Sequence, residues 1–450
     1  MLVPPLRRPL LLIVLLVIII GGTYALLIDP VQRAVVGHLT QLPNGVTWNL
    51  VGDEKDYVTL AMNLLWHSTY SLSVEPPYEP SSFRVPGYPM FLAAAFLIFG
   101  VHLNVILVAS LVLLVIIAVL AFLIGRDLYG ERVGVVAAFL CAINPGLYYF
   151  ALGGNSEPLF CTLLLLSIYL SNRADDSTGA LNRWSILSGL ALALTFLTRP
   201  TVLMLPLVFA VWLGRHAKTR GARTLCKGGL LLLAFSTGIL PWAIRNQISI
   251  GHFHVLPTQG GGVFLRGALA AREGFGSYVS RERVGPEDRA IMVLKDERLQ
   301  DRESWYKGVT VIREISHAKL FKVVLERIGR FWAPLNRIVY DEFSVRANVL
   351  ANLIYTPLFF LFLVGSVVEG LRQKKSYLLF LTMAYCTIPA MLFHGGTRHR
   401  MPIEPLMAIF SALAVVRFMG PKFSVPPFEV MEPSFQAGDS LGHVDGSLRG

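Results

Sequence analysis

The chain has few charged residues and few cysteines for its length. Only 15% of its 450 residues are charged, whereas 54% are hydrophobic, and the mean hydropathy is +0.57. This composition excludes an ordinary soluble protein and favours a multi-span helical membrane protein. The four cysteines show no CxxC or Cys/His spacing, so we expect neither a disulfide framework nor a zinc site.

Internal repeats and a cleavable leader are also missing. No repeat of about 20–50 residues is visible, which disfavours the transporters that are built from repeats. Arg7 and Arg8 precede the apolar run Leu10–Ile28, and no small-residue cleavage site follows that run. We therefore expect a retained signal anchor with a cytoplasmic N-terminus.

What the sequence does contain is a series of apolar runs joined by short basic links. We predict an all-α integral membrane protein with about ten transmembrane helices and helical outer loops. The formal net charge of +11 suits a cytoplasmic membrane face and requires no nucleic acid. The anchor is followed by predicted spans at roughly 103–125, 132–150, 157–171, 184–198, 200–213, 228–244, 349–370, 377–393 and 402–418.

Topology depends on the apolar segment Pro86–Phe99, which is too short to span comfortably. If it crossed the membrane, the basic link 214–227 and the Lys374–Lys375 link would face outward, against the positive-inside rule. We therefore expect this segment to lie at the outer boundary, with both basic links in the cytoplasm and the 245–348 loop outside.

These choices divide the chain into four parts. Residues 1–244 form a transmembrane catalytic module that contains the first outer loop, 29–102. Residues 245–348 form an outer loop in which apolar periodicity predicts two helices, one around Trp305–Ile315 and one around Leu320–Trp332. The second of these suits the membrane surface. Residues 349–420 carry the last spans, and 421–450 form a disordered tail.

The first outer loop contains the most conspicuous polar stretch, beginning at Gly52. An amphipathic pattern starting at Tyr57 predicts a short helix, with Asp53 just before it. A purely structural interpretation makes Asp53 the helix N-cap, with Asp56 as a weak capping partner.

Other charged residues fall in the predicted outer links as well. Acids and arginines at one membrane face suggest an anionic ligand held by guanidinium groups beside a carboxylate base. Each arginine alone is more simply an anchor at a helix end, but five outer links each supply a charged residue. The residues are Asp53, Asp56, Arg84, Glu157, Arg199, Arg245, Arg398, His399 and Arg400.

Several of these residues lie in motifs that resemble the C-type membrane glycosyltransferases. The resemblance is strongest to the bacterial relatives of protein O-mannosyltransferases and to the lipid A aminoarabinose transferase, and it covers about residues 10–418. Six elements carry it in family order: Gly52-Asp53-Glu54-Lys55-Asp56-Tyr57, Arg84-Val85-Pro86-Gly87-Tyr88-Pro89, Asn155-Ser156-Glu157-Pro158, Leu197-Thr198-Arg199-Pro200, Pro241-Trp242-Ala243-Ile244-Arg245-Asn246 and Arg398-His399-Arg400-Met401-Pro402.

The resemblance implies a helical membrane module with its site on the outer face of the plasma membrane. It also implies a polyprenyl-phosphate sugar donor and an inverting transfer to a glycan, lipid or protein acceptor. Two departures keep the donor and acceptor open: Glu157 stands where the aminoarabinose transferase has Asp, and Arg84 stands where it has Lys.

The chemistry of the residues gives the predicted site. Asp53 is the candidate general base and Glu157 the second catalytic acid. Arginines stabilise the phosphate leaving group, with Arg84 and Arg245 as first choices. No cofactor is expected, and no metal-ligand set is evident, although two acids could hold a divalent ion. The remaining predicted substrate-binding residues are Tyr57, Tyr88, Arg199, Arg398 and Arg400.

Two alternatives from other functional classes remain. A transporter or carrier of lipid-linked sugars needs charged or broken helices near the bilayer midplane, whereas these charges sit at helix ends. A non-catalytic membrane scaffold would keep the fold without the reaction. Transfer of sugar from a polyprenyl phosphate distinguishes an enzyme from both.

Overall fold

The computed structural model describes most of the chain as helices. The residues it describes are 4–27, 38–50, 52–177, 182–215, 221–274, 284–335, 344–368, 374–393 and 395–420. The predicted tail 421–450, and His394, Arg372 and the middle of the 214–227 link, lie outside these residues.

The helices that follow the apolar runs lie close to where the sequence places them. In chain order they are α1 (Pro4–Leu27), α2 (Glu54–His67), α3 (Gly87–Phe99), α4 (Leu103–Tyr129), α5 (Glu131–Ala142), α6 (Pro145–Leu152), α7 (Glu157–Asp176), α8 (Arg183–Thr198), α9 (Leu205–Gly214) and α10 (Ala222–Ile250). The later apolar helices are α15 (Ser344–Val368), α16 (Tyr377–Leu392), the single turn α17 (Thr397–Arg400) and α18 (Glu404–Met419).

The segment 245–348, which the sequence predicts to be an outer loop, is helical over most of its described residues, and both predicted helices are present. It contains α11 (Gly260–Glu273), α12 (Pro286–Met292), α13 (Glu297–Glu314) and α14 (His317–Phe331). Apolar side chains from these helices form a small core of their own, including Leu265, Leu269, Met292, Val311 and Val323. The loop is therefore a packed unit, because it buries enough apolar surface to offset the entropy of ordering it.

The number of membrane spans is not confirmed at ten. Within the described residues, five helices are long and apolar enough to cross a membrane, or six if one bent pair counts as a span. Shorter apolar helices occupy three further predicted spans: Arg183–Thr198, Pro200–Gly214 and Asn352–Val367. Gly87–Phe99 is also short and apolar, and it was predicted not to span. The predicted span 157–171 lies in α7, which is not among the candidate spans. Several long apolar helices in one chain are the pattern of a multi-pass helical membrane protein.

The predicted span 132–150 is the bent pair, α5 and α6, which meet at 53°. Pro145 lacks a backbone N–H and cannot continue the hydrogen-bond ladder of α5. Asn144 instead starts a new helix, since its side-chain oxygen accepts the Gly146 N–H at 2.9 Å.

The all-α expectation missed a short antiparallel hairpin. Strands β1 (His38–Gln41) and β2 (Thr47–Leu50) pair with His38 opposite Leu50 and Gln41 opposite Thr47. Asn44 and Gly45 turn the chain with φ values of 60° and 72°. An Asn-Gly pair between short strands is a recognised hairpin signal, so the sequence did contain this feature.

Helix α7 runs through the middle of the bundle. Its residues are buried on most sides, and it packs against α8 and α4. With 20 residues it is roughly 30 Å long, about the thickness of a bilayer core. Glu157 lies at its first residue and Asp176 at its last, so the two ends of α7 define two separate polar regions.

Candidate active site

Asp53 is the residue just before α2, but its side chain does not cap that helix. Its backbone is already helical, with φ −74° and ψ −12°, and its side chain makes no capping hydrogen bond. The structural interpretation of Asp53 as an N-cap is therefore wrong. Its carboxylate turns to two arginines instead, and Asp56 likewise accepts from an arginine rather than from the helix end.

Arg84 joins the two aspartates of the first outer loop. Its Nη2 donates to Asp53 Oδ1 at 2.8 Å and to Asp56 Oδ2 at 2.7 Å, and its Nε donates to Asp56 Oδ2 at 3.0 Å. The guanidinium also lies over the Tyr57 ring, 5.2 Å from its centroid. These contacts fix the orientation of a planar group that presents a fork of donors.

Glu157 gathers two further arginines at the start of α7. Its Oε1 lies 2.6 Å from Arg199 Nη1 and 2.5 Å from Arg398 Nε. Arg398 then reaches across to the first loop, with Nη2 2.9 Å from Asp53 Oδ2 and 2.9 Å from Asn155 Oδ1. Arg398 is therefore the bridge between the two acidic elements.

These side chains make one connected network, which we call the carboxylate–arginine cluster. It contains three carboxylates and three guanidinium groups, so its formal charges balance. Burial is graded across it: the side chain of Glu157 is 1% exposed, that of Arg84 12% and that of Asp53 35%. The members are Asp53, Asp56, Arg84, Glu157, Arg199 and Arg398.

One buried oxygen of the cluster has no partner among the described residues. Glu157 Oε2 is buried and accepts no hydrogen bond from the described residues. Leaving a buried carboxylate oxygen unsatisfied costs free energy, and such atoms in native proteins call for an explanation. The atom is available to a donor that is not part of the protein.

The arginines control the ionisation of Asp53. Partial burial favours its neutral form, but Arg398 and Arg84 outweigh that effect and hold the pKa of the Asp53 carboxyl well below its usual range. Asp53 is therefore ionised at any physiological pH. In this arrangement it is also a weak base, because a carboxylate paired with two arginines binds a proton poorly.

The two predicted tyrosines pack behind this cluster. Tyr57 and Tyr88 meet edge to face with ring centroids 5.0 Å apart, and Tyr88 is 1% exposed. The Tyr57 hydroxyl lies 3.2 Å from Ser156 Oγ. Burial raises the pKa of Tyr57, so its phenol stays protonated. Tyr57 contacts Arg84, and Tyr88 packs against the Tyr57 ring.

The close approach of the two acidic elements depends on a glycine. Gly154 has φ +62°, a left-handed conformation that favours glycine. A Cβ atom at Gly154 would lie 2.1 Å from Glu54 Oε1, far inside van der Waals contact. Glycine at this position lets the chain before Glu157 pass directly against the start of α2.

A cavity of about 1070 Å³ lies against the β1–β2 hairpin, and no member of the carboxylate–arginine cluster lines it. Its lining includes Gly52 and Lys55, which flank Asp53 in sequence, and the facing residues of the β1–β2 hairpin. Its walls carry no carboxylate, and they offer hydroxyl, amide and ammonium groups from Thr40, Thr47, Gln41 and Lys55. These groups suit a polar molecule bound against the hairpin.

Two predicted substrate-binding residues lie outside the cluster. Arg245 donates to the backbone oxygens of Ser81 at 2.7 Å and Tyr70 at 3.1 Å. Arg400 is fully buried and donates to the carbonyl oxygens of Phe331 and Ala333. In both cases the guanidinium group holds backbone segments together.

The sequence analysis missed two polar groups of the site. Asn155 was quoted only as part of a motif, yet its side chain receives Arg398. Ser156, its neighbour, contacts Tyr57. Their proximity to Glu157 in the chain was the available signal. Within the part of the chain that the structure describes, no group of three or more His, Cys, Asp or Glu side chains is arranged to hold a metal ion.

Part of the chain matches a known protein family. A model of the family described as dolichyl-phosphate-mannose-protein mannosyltransferase matches residues 79–242, a range that contains Arg84, Glu157 and Arg199. No curated protein sequence matches the chain significantly.

Solved structures show a similar fold. The archaeal oligosaccharyltransferase AglB from Archaeoglobus fulgidus, in complex with an inhibitory peptide and a dolichol-phosphate, superposes with a TM-score of 0.52 and 17% identity over 92% of this chain and 50% of that chain. This chain thus spans about half the length of that enzyme. ArnT from Cupriavidus metallidurans bound to undecaprenyl phosphate is more distant, with a TM-score of 0.38 and 11% identity over 90% of this chain and 78% of that chain.

The family match contains three of the six short motifs that carry the resemblance, and the fold similarity is a separate observation. Together they confirm that this chain is similar to the C-type membrane glycosyltransferase superfamily.

Proposed function

We propose that this protein is an inverting glycosyltransferase that moves a sugar from a polyprenyl-phosphate donor to a glycan, lipid or protein acceptor on the outer face of the membrane. The observation that carries the proposal is the carboxylate–arginine cluster. It draws its members from five separate stretches of the chain and leaves its most exposed carboxylate, Asp53, at its edge.

The graded burial suggests separate roles for the two acids. Asp53 is accessible enough to touch an acceptor, since 35% of its side chain is exposed. Glu157 is buried and orients Arg199 and Arg398. Its Oε2, which has no partner among the described residues, can accept a hydrogen bond from a hydroxyl group of the bound sugar. Asp53 is therefore the proposed base, and Glu157 contacts substrate and positions the arginines.

The reaction needs little from the protein besides a base and cations. A lone pair on the acceptor oxygen or nitrogen forms the new bond to the anomeric carbon, from the side opposite the phosphate. The bond between that carbon and the phosphate oxygen breaks, and its electron pair stays on the oxygen. The acceptor proton passes to Asp53. The departing phosphate gains negative charge, which Arg84 and Arg398 stabilise in a region shielded from water.

Binding of the donor also raises the basicity of Asp53. The phosphate competes with Asp53 for the donors of Arg84 and Arg398. As those hydrogen bonds move to phosphate, Asp53 loses the partners that depress its pKa and becomes a better base. The base is then activated only when the donor is in place.

The polar regions at the two ends of α7 support the proposed orientation. The cluster lies at the Glu157 end. The opposite end brings together Asp176 with Lys375, and Asp175 with Arg215, all from links predicted to face the cytoplasm. A basic end opposite the cluster agrees with an outward-facing site under the positive-inside rule.

A transfer assay tests the proposal. The purified protein is incorporated into lipid nanodiscs and supplied with a panel of radiolabelled polyprenyl-phosphate sugars and extracted envelope acceptors. We expect label to move to an acceptor in the wild type, and Asp53→Asn to reduce the rate by about 10²–10⁴-fold, the usual contribution of a general base.

The matched control is Asp176→Asn, which removes an aspartate from an ion pair at the other end of α7 and should leave transfer nearly unchanged. Absence of transfer with every donor would favour a carrier or a scaffold over an enzyme. A wild-type rate in Asp53→Asn would remove Asp53 as the base.

A further inference from the structure

The segment Ser81–Ser82, just before Arg84, is held by residues from three distant parts of the chain. Arg245 donates to the Ser81 carbonyl oxygen at 2.7 Å from one side. On the other side, Ser81 Oγ donates to Glu297 Oε1 at 2.6 Å and the Ser82 N–H donates to Glu297 Oε2 at 3.1 Å. Ser81 and Ser82 are 2% and 1% exposed, so the serine side of these partly buried contacts is shielded from water.

Glu297 uses both of its oxygens on partners outside its own helix. Oε2 also accepts from Thr258 Oγ1 at 3.1 Å, and the Thr258 N–H donates to the Ser82 carbonyl at 3.0 Å. Glu297 is the first residue of α13, where any acid gains a little from the helix dipole. The dipole does not require three donors from two other segments, so its contacts point to a second role.

The short stretch from Ser82 to Arg84 links the Glu297 contacts to the backbone of Arg84. The Phe83 N–H donates to Ser81 Oγ at 3.1 Å, so the hydroxyl that reaches Glu297 also shapes the next turn. Beyond it, the Tyr70 hydroxyl donates to the carbonyl oxygens of Arg84 at 3.0 Å and Val85 at 3.1 Å. The backbone that carries Arg84 is thereby fixed on both sides.

We propose that Glu297, in the outer helical loop, is a positioning residue that sets the placement of Arg84 through the Ser81–Ser82 segment. The inference rests on the proposed function, since Arg84 is there the group that meets the donor phosphate. A displacement of about 1 Å in such a group can cost up to about 10²-fold in rate. The outer loop therefore takes part in the reaction without contacting the donor.

Removal of the charge and of one acceptor tests the idea. In Glu297→Gln the amide offers a single acceptor oxygen where three donors now converge, so the Ser82 N–H or Ser81 Oγ loses its partner. We expect donor kcat/KM to fall roughly tenfold, with the acceptor KM unchanged. Glu303→Gln is the matched control, because Glu303 lies on the same helix and pairs only with its exposed neighbour Arg302 among the described contacts.

A merely structural role for Glu297 predicts a different pattern. If Glu297 acts through Arg84, the loss caused by Glu297→Gln should largely vanish in an Arg84→Lys background, where the fork is already absent. Equal fractional losses in both backgrounds would overturn the proposal. The same cycle with Ser81→Ala should show coupling of the same sign.

Amide hydrogen exchange supplies a readout that needs no substrate. The Ser82 and Phe83 amides should exchange faster in Glu297→Gln than in the wild type, and at the wild-type rate in Glu303→Gln. Unchanged protection in Glu297→Gln would overturn the proposal even if no transfer is found. Faster exchange in a protein without transferase activity would instead count against the proposed function alone.

Discussion

The two ends of α7 contain the same kinds of residue in different arrangements. At the Asp176 end the pairs are separate: Asp175 with Arg215 at 2.7 Å, and Asp176 with Lys375. At the Glu157 end one carboxylate oxygen serves two arginines, and one of these arginines reaches a second acid.

Both ends keep buried polar atoms without a partner among the described residues, but of different kinds: Arg215 Nε and the Asn172 amide at the Asp176 end, and a carboxylate oxygen at the Glu157 end. Lys227 at the Asp176 end donates to the backbone oxygens of Ala174 and Ser177. It thereby satisfies carbonyl groups at the C-terminus of α7 that have no partner within the helix. Glu157 at the other end keeps a buried oxygen without a partner among the described residues. Separate ion pairs anchor a helix, whereas shared ions with a spare anionic acceptor are suited to receiving a ligand.

The largest expected contrast concerns the arginines. Arg398→Lys replaces a fork that contacts Glu157, Asp53 and Asn155 by a single ammonium, which cannot hold all three. We expect transfer to fall by about 10²-fold, the scale of losing one preorganised donor. Arg215→Lys, the counterpart at the opposite end, should change the rate little. Comparable losses in the two variants, measured by the radiolabel assay, would erase the functional distinction between the ends.

A smaller contrast is expected in stability. Glu157→Gln leaves Arg199 and part of Arg398 without a counter-charge in a buried setting, and breaking such a pair costs roughly 3 kcal/mol. Asp176→Asn removes a half-exposed partner, worth less than about 1 kcal/mol. Denaturant titration of both variants in detergent measures the two costs. A larger cost for Asp176→Asn would show that the Asp176 end bears more of the stability.

The smallest expected effect is the pH dependence that comes from Asp53. Because the folded-state pKa of Asp53 lies below its unfolded value, its ion pairs contribute stability above pH of about 3.9. That contribution is lost as the pH falls below this value towards the lower folded-state pKa. The difference in thermal midpoint between wild type and Asp53→Asn should therefore be constant from pH 8 to about 5 and shrink below about 4. A difference that shrinks near pH 6 would mean that the arginines do not depress this pKa.

The sequence predicted more of the helices than of their arrangement. Apolar runs gave the positions of α4, α7 and α10 to within a few residues at most ends, because burial in a bilayer demands continuous apolar helices. The bend between α5 and α6 was missed, since an Asn-Pro pair within an apolar run reads locally as part of one span.

For the candidate site, the sequence by itself determined which charged residues sit at helix ends, and the motifs singled out Asp53, Arg84, Glu157, Arg199 and Arg398. Only the tertiary structure decided how they pair: Arg398 meets Asp53 across 345 positions of chain, while Arg245 and Arg400 turn to backbone carbonyls. It also brought Glu297 to Ser81 across 216 positions, a contact that no motif indicates. Local patterns report which residues a helix presents, whereas the partner of a charge depends on which helix ends the packing brings within about 3 Å.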